Sequence, residues 1–301
     1  MTGICAGRVV VVTGAAGAIG RGHALEFARQ GAKVVVNDLG AAVDGSGSSD
    51  GPAGEVVDQI RRAGGEAVAN GEDVASWAGA AALIQSAVET FGRLDTLVCN
   101  AGILRDRMIV SMSEADWDAV LTVHLRGTFG PIRHAAAHWR ERVKAGDAVA
   151  GRIVTTTSAA GLYGNVGQAN YSAAKAGVAA LTRVASAELA RYGVTANAVA
   201  PVARSRMTAR LFADEMTVRA GEFDRMDPDN VAPLVVWLGS DESKDVNGWV
   251  FEVQGGHINV AEGWRRGPAV DQDERFDPAT LAAVVRDLVA RAEPPKAVIG
   301  S

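Results

Sequence analysis

The chain is predicted to fold as a doubly wound α/β domain, a seven-stranded parallel sheet with helices on both faces. Three observations point there. Short β-branched runs alternate with longer helical stretches through most of the 301 residues. Several of those runs are almost wholly apolar, as parallel strands covered on both faces must be. The first run, VVVV, leads straight into a glycine-spaced turn and a helix, TGAAGAIGRGHALEFARQG.

In order, the strand-like runs are Val9–Val12, Lys33–Asn37, Glu66–Ala69, Leu94–Cys99, Ile153–Thr157, Thr195–Val199 and Trp249–Val253. Helical patterns lie at 20–30, 53–63, 76–91, 114–143, 170–191 and 229–239. Pro131 falls inside one of them and predicts a kink, since it lacks an N–H and crowds the preceding turn. Right-handed crossovers put the loop after each strand on one edge of the sheet, where ligands bind in such folds. Three segments break the repeat. The Gly/Ser-rich stretch Gly40–Gly54 predicts an exposed loop after the second strand. Residues 204–223 predict a helical substrate lid, and the 261–301 extension carries one more helix over about Pro278–Ala292.

Composition narrows the functional classes. With 48% hydrophobic residues the chain can build one large core. No run of 18 apolar residues exists, and MTGICAGR lacks the stages of a signal peptide, so no membrane span is expected. Cys5 and Cys99 cannot make a disulfide framework; free thiols and a cytoplasmic location are the simple expectation. A net charge of -5 argues against bulk nucleic-acid binding while leaving room for a local basic pocket. His134 and His138 share a helix face, but no third ligand accompanies them, so no metal site is expected.

The glycine turn has the strand–turn–helix context of a dinucleotide-binding Rossmann-type loop. Gly14 permits the sharp turn, Gly17, Ala18 and Ile19 bring backbone amides toward a pyrophosphate, and Gly20 lets helix pack on strand. Asp38 follows the second strand, 24 residues after Gly14. A carboxylate there accepts hydrogen bonds from the adenosine ribose and repels a 2′-phosphate. The neighbouring Leu39 offers no cation to that phosphate. NAD is therefore the expected cofactor.

A second set of residues follows in order: Asp73–Val74, Cys99-Asn100-Ala101-Gly102, Ser158 in TTTSAAG, Tyr171 and Lys175 in NYSAAKAG, and Pro201 closing NAVAP. Ser158 lies 13 residues before Tyr171. With the glycine turn, this set resembles the short-chain dehydrogenase/reductase family over roughly residues 7–256. On a helix Tyr171 and Lys175 stand one turn apart on one face. An ammonium there is expected to lower the phenol pKa, so that Tyr171 takes a proton from a substrate hydroxyl as hydride leaves. Ser158 is expected to donate a hydrogen bond to the substrate oxygen. The resemblance also implies that Tyr171 and Lys175 contact the cofactor, with Lys175 on the nicotinamide ribose, and that Asp73, Val74, Asn100, Ala101, Gly102 and Pro201 line its site. Residues 1–260 are then the expected NAD-binding catalytic domain.

Two positions depart from the family pattern. His124 in VHLRG replaces the usual Asn, and could relay a proton, hold a water or simply pack. Cys99 replaces the first Asn of N-N-A-G and reads as a small hydrophobe. The glycine turn also keeps T-G-x-x-G-x-x-G spacing rather than the family's common T-G-x-x-x-G-x-G. Further stretches, VVNDLG, AGILRDR, VHLRGTF, GLYGNVGQANYSAAK and VAPLVVWL, resemble (3R)-hydroxyacyl-CoA dehydrogenase domains of peroxisomal multifunctional β-oxidation enzymes. That resemblance implies oxidation of a 3-hydroxyacyl-CoA, with a sterol-derived or other bulky acyl chain among the candidates, to the 3-oxoacyl-CoA; a hydroxysteroid or another secondary alcohol stays open, as does a silent NAD-binding scaffold. Arg105, Arg107, Arg206 and Met207 are the expected substrate residues, the arginines for CoA phosphates. The family also implies a homodimer or homotetramer.

Overall fold

A computed structural model describes residues 3–48, 51–204 and 222–301. Its elements are β1 (Val9–Thr13), α1 (Ala18–Arg29), β2 (Lys33–Asn37), α2 (Gly51–Arg62), β3 (Glu66–Asn70), α3 (Trp77–Phe91) and β4 (Thr96–Cys99). Then follow α4 (Glu114–Leu121), α5 (Gly127–Lys144), β5 (Gly151–Thr156), α6 (Ala159–Tyr163), α7 (Ala169–Leu189) and β6 (Val194–Pro201). The chain continues with α8 (Ala232–Leu238), β7 (Val250–Gln254), β8 (His257–Val260) and α9 (Leu281–Arg291). The sheet order is β3-β2-β1-β4-β5-β6-β7-β8. The first seven of these strands pair in parallel, as the sequence predicts, and β8 adds an antiparallel edge.

The apolar strands are dictated by the two covered faces. In β1, Val10 and Val12 join Phe27, Val34, Val36, Ile60 and Val235 in one buried cluster. Val9 and Val11 point the other way, to Leu83, Ile84, Trp139, Ile153 and Leu189. The period of two splits one valine run between two cores, and each fully buried valine contributes roughly 1.5–3 kcal/mol. Cys5 belongs to the first cluster and Cys99 to the second, and both thiols are free and buried. At the edge where the strands begin, Arg8 donates to the carbonyls of Asp95 (3.1 Å) and Ala150 (2.9 Å), while Asp95 accepts from the Val9 amide (2.8 Å). Arg8 and Arg152 both pair with Asp241.

Helix ends follow local chemistry. Ser76 caps α3 and Ser113 caps α4, each accepting from the third amide onward, and α3 stops at Gly92 in the left-handed region. The irregularity expected at Pro131 lies one turn earlier: a π-turn spans Thr122–Arg126 between α4 and α5. The proline ring crowds the carbonyl four residues back, at Gly127, just where the wider turn ends. No helix among the described residues is long and apolar enough to cross a membrane.

Candidate active site

The loops after β1, β2, β3, β4, β5 and β6 meet along one sheet edge and wall a cleft of about 350 Å³. The crossover rule places them there, because β1 and β4 are neighbours whose helices leave on opposite faces. Gly14 (φ +63) turns sharply against the Ala101 backbone, where a Cβ would come within 2.7 Å. A Cβ on Gly20 would meet the Gly14 carbonyl oxygen at 2.1 Å, so only glycine lets α1 start this close to β1. At Gly17 the nearest such contact is 3.6 Å, and the site tolerates bulk.

The N-terminus of α1 opens onto the cleft with no side-chain cap from Gly17. The amides of Ala18, Ile19 and Gly20 therefore face space that an anion fits. Asp38 and Leu39 stand at the end of β2 on the same wall. Asp38 accepts from the Ala16 amide (2.9 Å) and from the Gly40 amide (2.8 Å), so its carboxylate is held still with lone pairs to spare. Asp73, Val74, Asn100, Ala101, Gly102 and Pro201 line the remainder of this half. Asn100 pins the loops together, donating from Nδ2 to the Thr13 and Gly14 carbonyls. These donors and acceptors fit a dinucleotide.

Ser158, Tyr171, Lys175 and His124 line the other half. Ser158 follows β5 by two residues and caps α6 through the Ala160 amide (3.2 Å). Tyr171 and Lys175 come from the first turns of α7, and the Lys175 ammonium lies 5.6 Å from the Tyr171 ring centre. Burial pushes the Tyr171 phenol up to about 12, and a hydrogen bond with Ser158 works against that rise. Lys175 is itself pushed down to about 7 by burial, and its Nζ donates to the Thr156 carbonyl (2.6 Å). The expected lowering of the tyrosine by the lysine is thus corrected: burial dominates the phenol and raises it, and the same burial draws the amine down.

His124 sits in the π-turn, fully buried. Its Nε2 lies 3.1 Å from the Ile103 nitrogen and 2.8 Å from the Ile103 oxygen, and Nδ1 has no partner. The ring meets Tyr171 edge-on, with centres 5.1 Å apart. Burial lowers its pKa to about 3, so the ring is neutral at physiological pH. Cys99 packs beneath as a buried thiol pushed up to about 12, and His134 lies edge-on to Trp77.

Two expected substrate residues fall elsewhere. Arg105 does not line the cleft; its guanidinium donates to the carbonyls of Asp44 (2.9 Å) and Ala115 (3.4 Å). Arg107 is exposed and donates to the adjacent Asp106 carbonyl. Both follow β4 as expected, but backbone carbonyls satisfy them away from the cavity. Arg206, Met207 and nearly all of the expected 204–223 lid lie outside the described residues. The Gly40–Gly54 stretch is not simply exposed: Ala41, Val43 and Gly45 wall the cleft, and the Leu104 amide donates to the Val43 carbonyl.

Sequence reading passed over Asn165, Gln168 and Asn170. Asn165 and Gln168 line the cleft just ahead of Tyr171, joined by a 2.8 Å hydrogen bond. Buried Asn170 holds the start of α7, accepting from the Tyr171 amide and donating to the carbonyls of Arg105 and Asp116. Their signal was a run of polar residues, GNVGQAN, directly before the tyrosine.

A parallel sheet with a dinucleotide-shaped cleft at its switch point, closed by a serine, a tyrosine and a lysine, defines an oxidoreductase of the Rossmann class. The sequence matches the family "short chain dehydrogenase" over residues 8–216. It is 46% identical over 295 residues to the hydroxyacyl-CoA dehydrogenase ChsB1 of Mycobacterium tuberculosis, covering 96% of this chain and 90% of that one. It is 44% identical over 278 residues to the peroxisomal multifunctional enzyme type 2 of Mus musculus, covering 92% of this chain and only 36% of the longer relative. A crystal structure of a short chain dehydrogenase from Mycobacterium avium superimposes with a TM-score of 0.90 at 61% identity, over 99% of this chain and 100% of the other. The chain belongs to the short-chain dehydrogenase/reductase family.

Proposed function

We propose that the protein oxidises a 3-hydroxyacyl-CoA to the 3-oxoacyl-CoA with NAD. The observation that carries this is the meeting of Ser158, Tyr171 and Lys175 with the glycine turn and Asp38 in one cleft. The names of the two curated relatives, a hydroxyacyl-CoA dehydrogenase and a peroxisomal multifunctional enzyme, support the substrate class. Asp38 supports NAD over NADP, since a carboxylate fixed by two amides cannot swing away from a 2′-phosphate.

When bound, NAD supplies the hydride acceptor and a positively charged ring. Ser158 holds the substrate hydroxyl and shares a hydrogen bond with Tyr171, favouring the phenolate. With its phenol first ionised, its proton lost to solvent under the pull of the positively charged ring, Tyr171 would take the hydroxyl proton at its phenolate oxygen as the hydride departs. Lys175 would hold the nicotinamide ribose, its own position set by the Thr156 carbonyl. His124 stays neutral and braces the Tyr171 ring from the side.

The test is NADH formation with NAD and NADP separately, over 3R- and 3S-hydroxyacyl-CoA esters and free hydroxysteroids. We expect 3R esters with NAD to turn over fastest. Turnover of steroids alone removes the substrate reading, and equal use of NADP removes the role of Asp38. Tyr171→Phe is expected to cut kcat by about 10³-fold or more while NAD still binds; full activity in that variant overturns the chemistry.

A further inference from the structure

The loop Gly164–Gln168 joins the helix capped by Ser158 to the helix that carries Tyr171, and neighbours hold it from both sides. On one side the Arg107 amide donates to the Gly167 carbonyl (2.8 Å), and Arg107 bridges to Gln168 in parallel. On the other, the Val166 amide donates to the Ile299 carbonyl (3.0 Å) and the Ile299 amide donates to the Gly164 carbonyl (3.2 Å). That second bridge pairs Asn165 with Ile299 across 134 positions of sequence.

Several features fit this contact. Gly164 (φ +80) turns toward the segment, and a Cβ there would stand 3.4 Å from Val298 Cγ1. Gly300 (φ +80) turns the chain back, with the Ser301 amide and hydroxyl closing on the Val298 carbonyl. The Lys296 ammonium rests 3.8 Å above the Tyr163 ring, whose hydroxyl donates to Glu252 (2.9 Å). By contrast, α9 has no buried residue. Ile299 also lines the cleft, beside Asn165 and Gln168. An aliphatic side chain among amides at this end offers a surface for substrate carbon, and exposed Val166 and Val298 continue it outward.

Resting on the acyl-CoA reading above, we infer that residues 296–301 strap the substrate end of the cleft. Ile299 is its specificity-determining residue, setting how much bulk the acyl chain can carry. One methylene more or less in such a wall changes selectivity by about 10- to 200-fold.

The test compares wild type, Ile299→Ala, Ile299→Trp and a chain ending at Pro295, each with a short and a bulky 3-hydroxyacyl-CoA. In Ile299→Trp the ratio of kcat/KM for bulky over short substrate falls by about tenfold or more, mainly through KM, with the NAD dissociation constant unchanged. Ile299→Ala shifts the ratio the opposite way. In the shortened chain the Val166 amide loses its protection from hydrogen exchange, a readout that needs no substrate. An unchanged ratio in both point variants, or full Val166 protection in the shortened chain, overturns the strap. If wild type acts on free alcohols and not on CoA esters, the substrate reading falls. The same comparison with a small and a bulky free alcohol then still decides the role of Ile299.

Discussion

Gly102→Ala tests how tightly the catalytic tyrosine is braced. A Cβ at this position would stand 2.3 Å from His124 Cε1 and 3.1 and 3.2 Å from the two ring nitrogens. Carbon atoms rest about 3.5–4.0 Å apart, so the ring must retreat by more than an ångström. It has nowhere easy to go: it is 1% exposed, clamped at Nε2 by Ile103 and seated edge-on against Tyr171. Overpacking of this kind destabilises by about 1–3 kcal/mol. Moving Tyr171 by an ångström lowers turnover by about 10²-fold. The second partner is His124→Ala, which removes the ring and opens the space. In that background Gly102→Ala should cost less than about 0.5 kcal/mol, leaving a coupling of roughly 1–2 kcal/mol. Urea unfolding of the four proteins of the cycle measures it, with kcat measured in parallel. Additive effects within about 0.5 kcal/mol would refute the brace and show that Gly102 makes room for something other than this ring.

Three further outcomes follow from ionisable groups. His23 is fully buried with both ring nitrogens unpartnered, and burial lowers it from 6.5 to about 3. The unfolded chain therefore binds the extra proton first, and stability held above pH 6.5 is lost toward pH 3, at roughly 1.4 kcal/mol per pH unit. His23→Leu should flatten that acid loss in denaturation curves between pH 4 and 7, and an unchanged slope speaks against it. Lys175 is lowered from 10.5 to about 7, so its burial penalises folding at neutral pH and the penalty fades as pH rises toward 10.5. Lys175→Met should be inactive yet more stable at pH 7, by up to roughly 4 kcal/mol; a less stable variant would show that its bond to Thr156 outweighs desolvation. Asp38→Ala should shift the NADP-to-NAD preference by at least about tenfold toward NADP, and unchanged selectivity by coupled absorbance assays would remove the carboxylate from cofactor choice.

The strands were legible because both faces of the sheet demand apolar residues, so VVVV in β1 or TLVC in β4 could hardly be anything else. β8 escaped although its signal was present: Gln254 and His257 flank Gly255-Gly256, a two-residue hairpin turn before HINV. The cleft residues were legible as an ordered set, since each sits at the end of a strand or in the first turns of a helix. Arg105 was misread because sequence shows a charge but not the two carbonyls that occupy it. The Lys175–Tyr171 relation was misread for a related reason: spacing fixes their separation, while burial decides whether the amine keeps its charge. Ile299 carries no local pattern at all, because its partner lies at the far end of the chain.

The two thiols give the molecule built-in reporters. Burial lifts both Cys5 and Cys99 to about 12, so neither offers a thiolate to alkylating agents or peroxide while the fold is closed. Each lies in a different core, one on either side of the sheet. Labelling of the untouched protein by a disulfide reagent thus reads out fluctuations layer by layer. If both cysteines react at one rate, the two layers open together; if the rates separate, one face of the sheet breathes independently of the other.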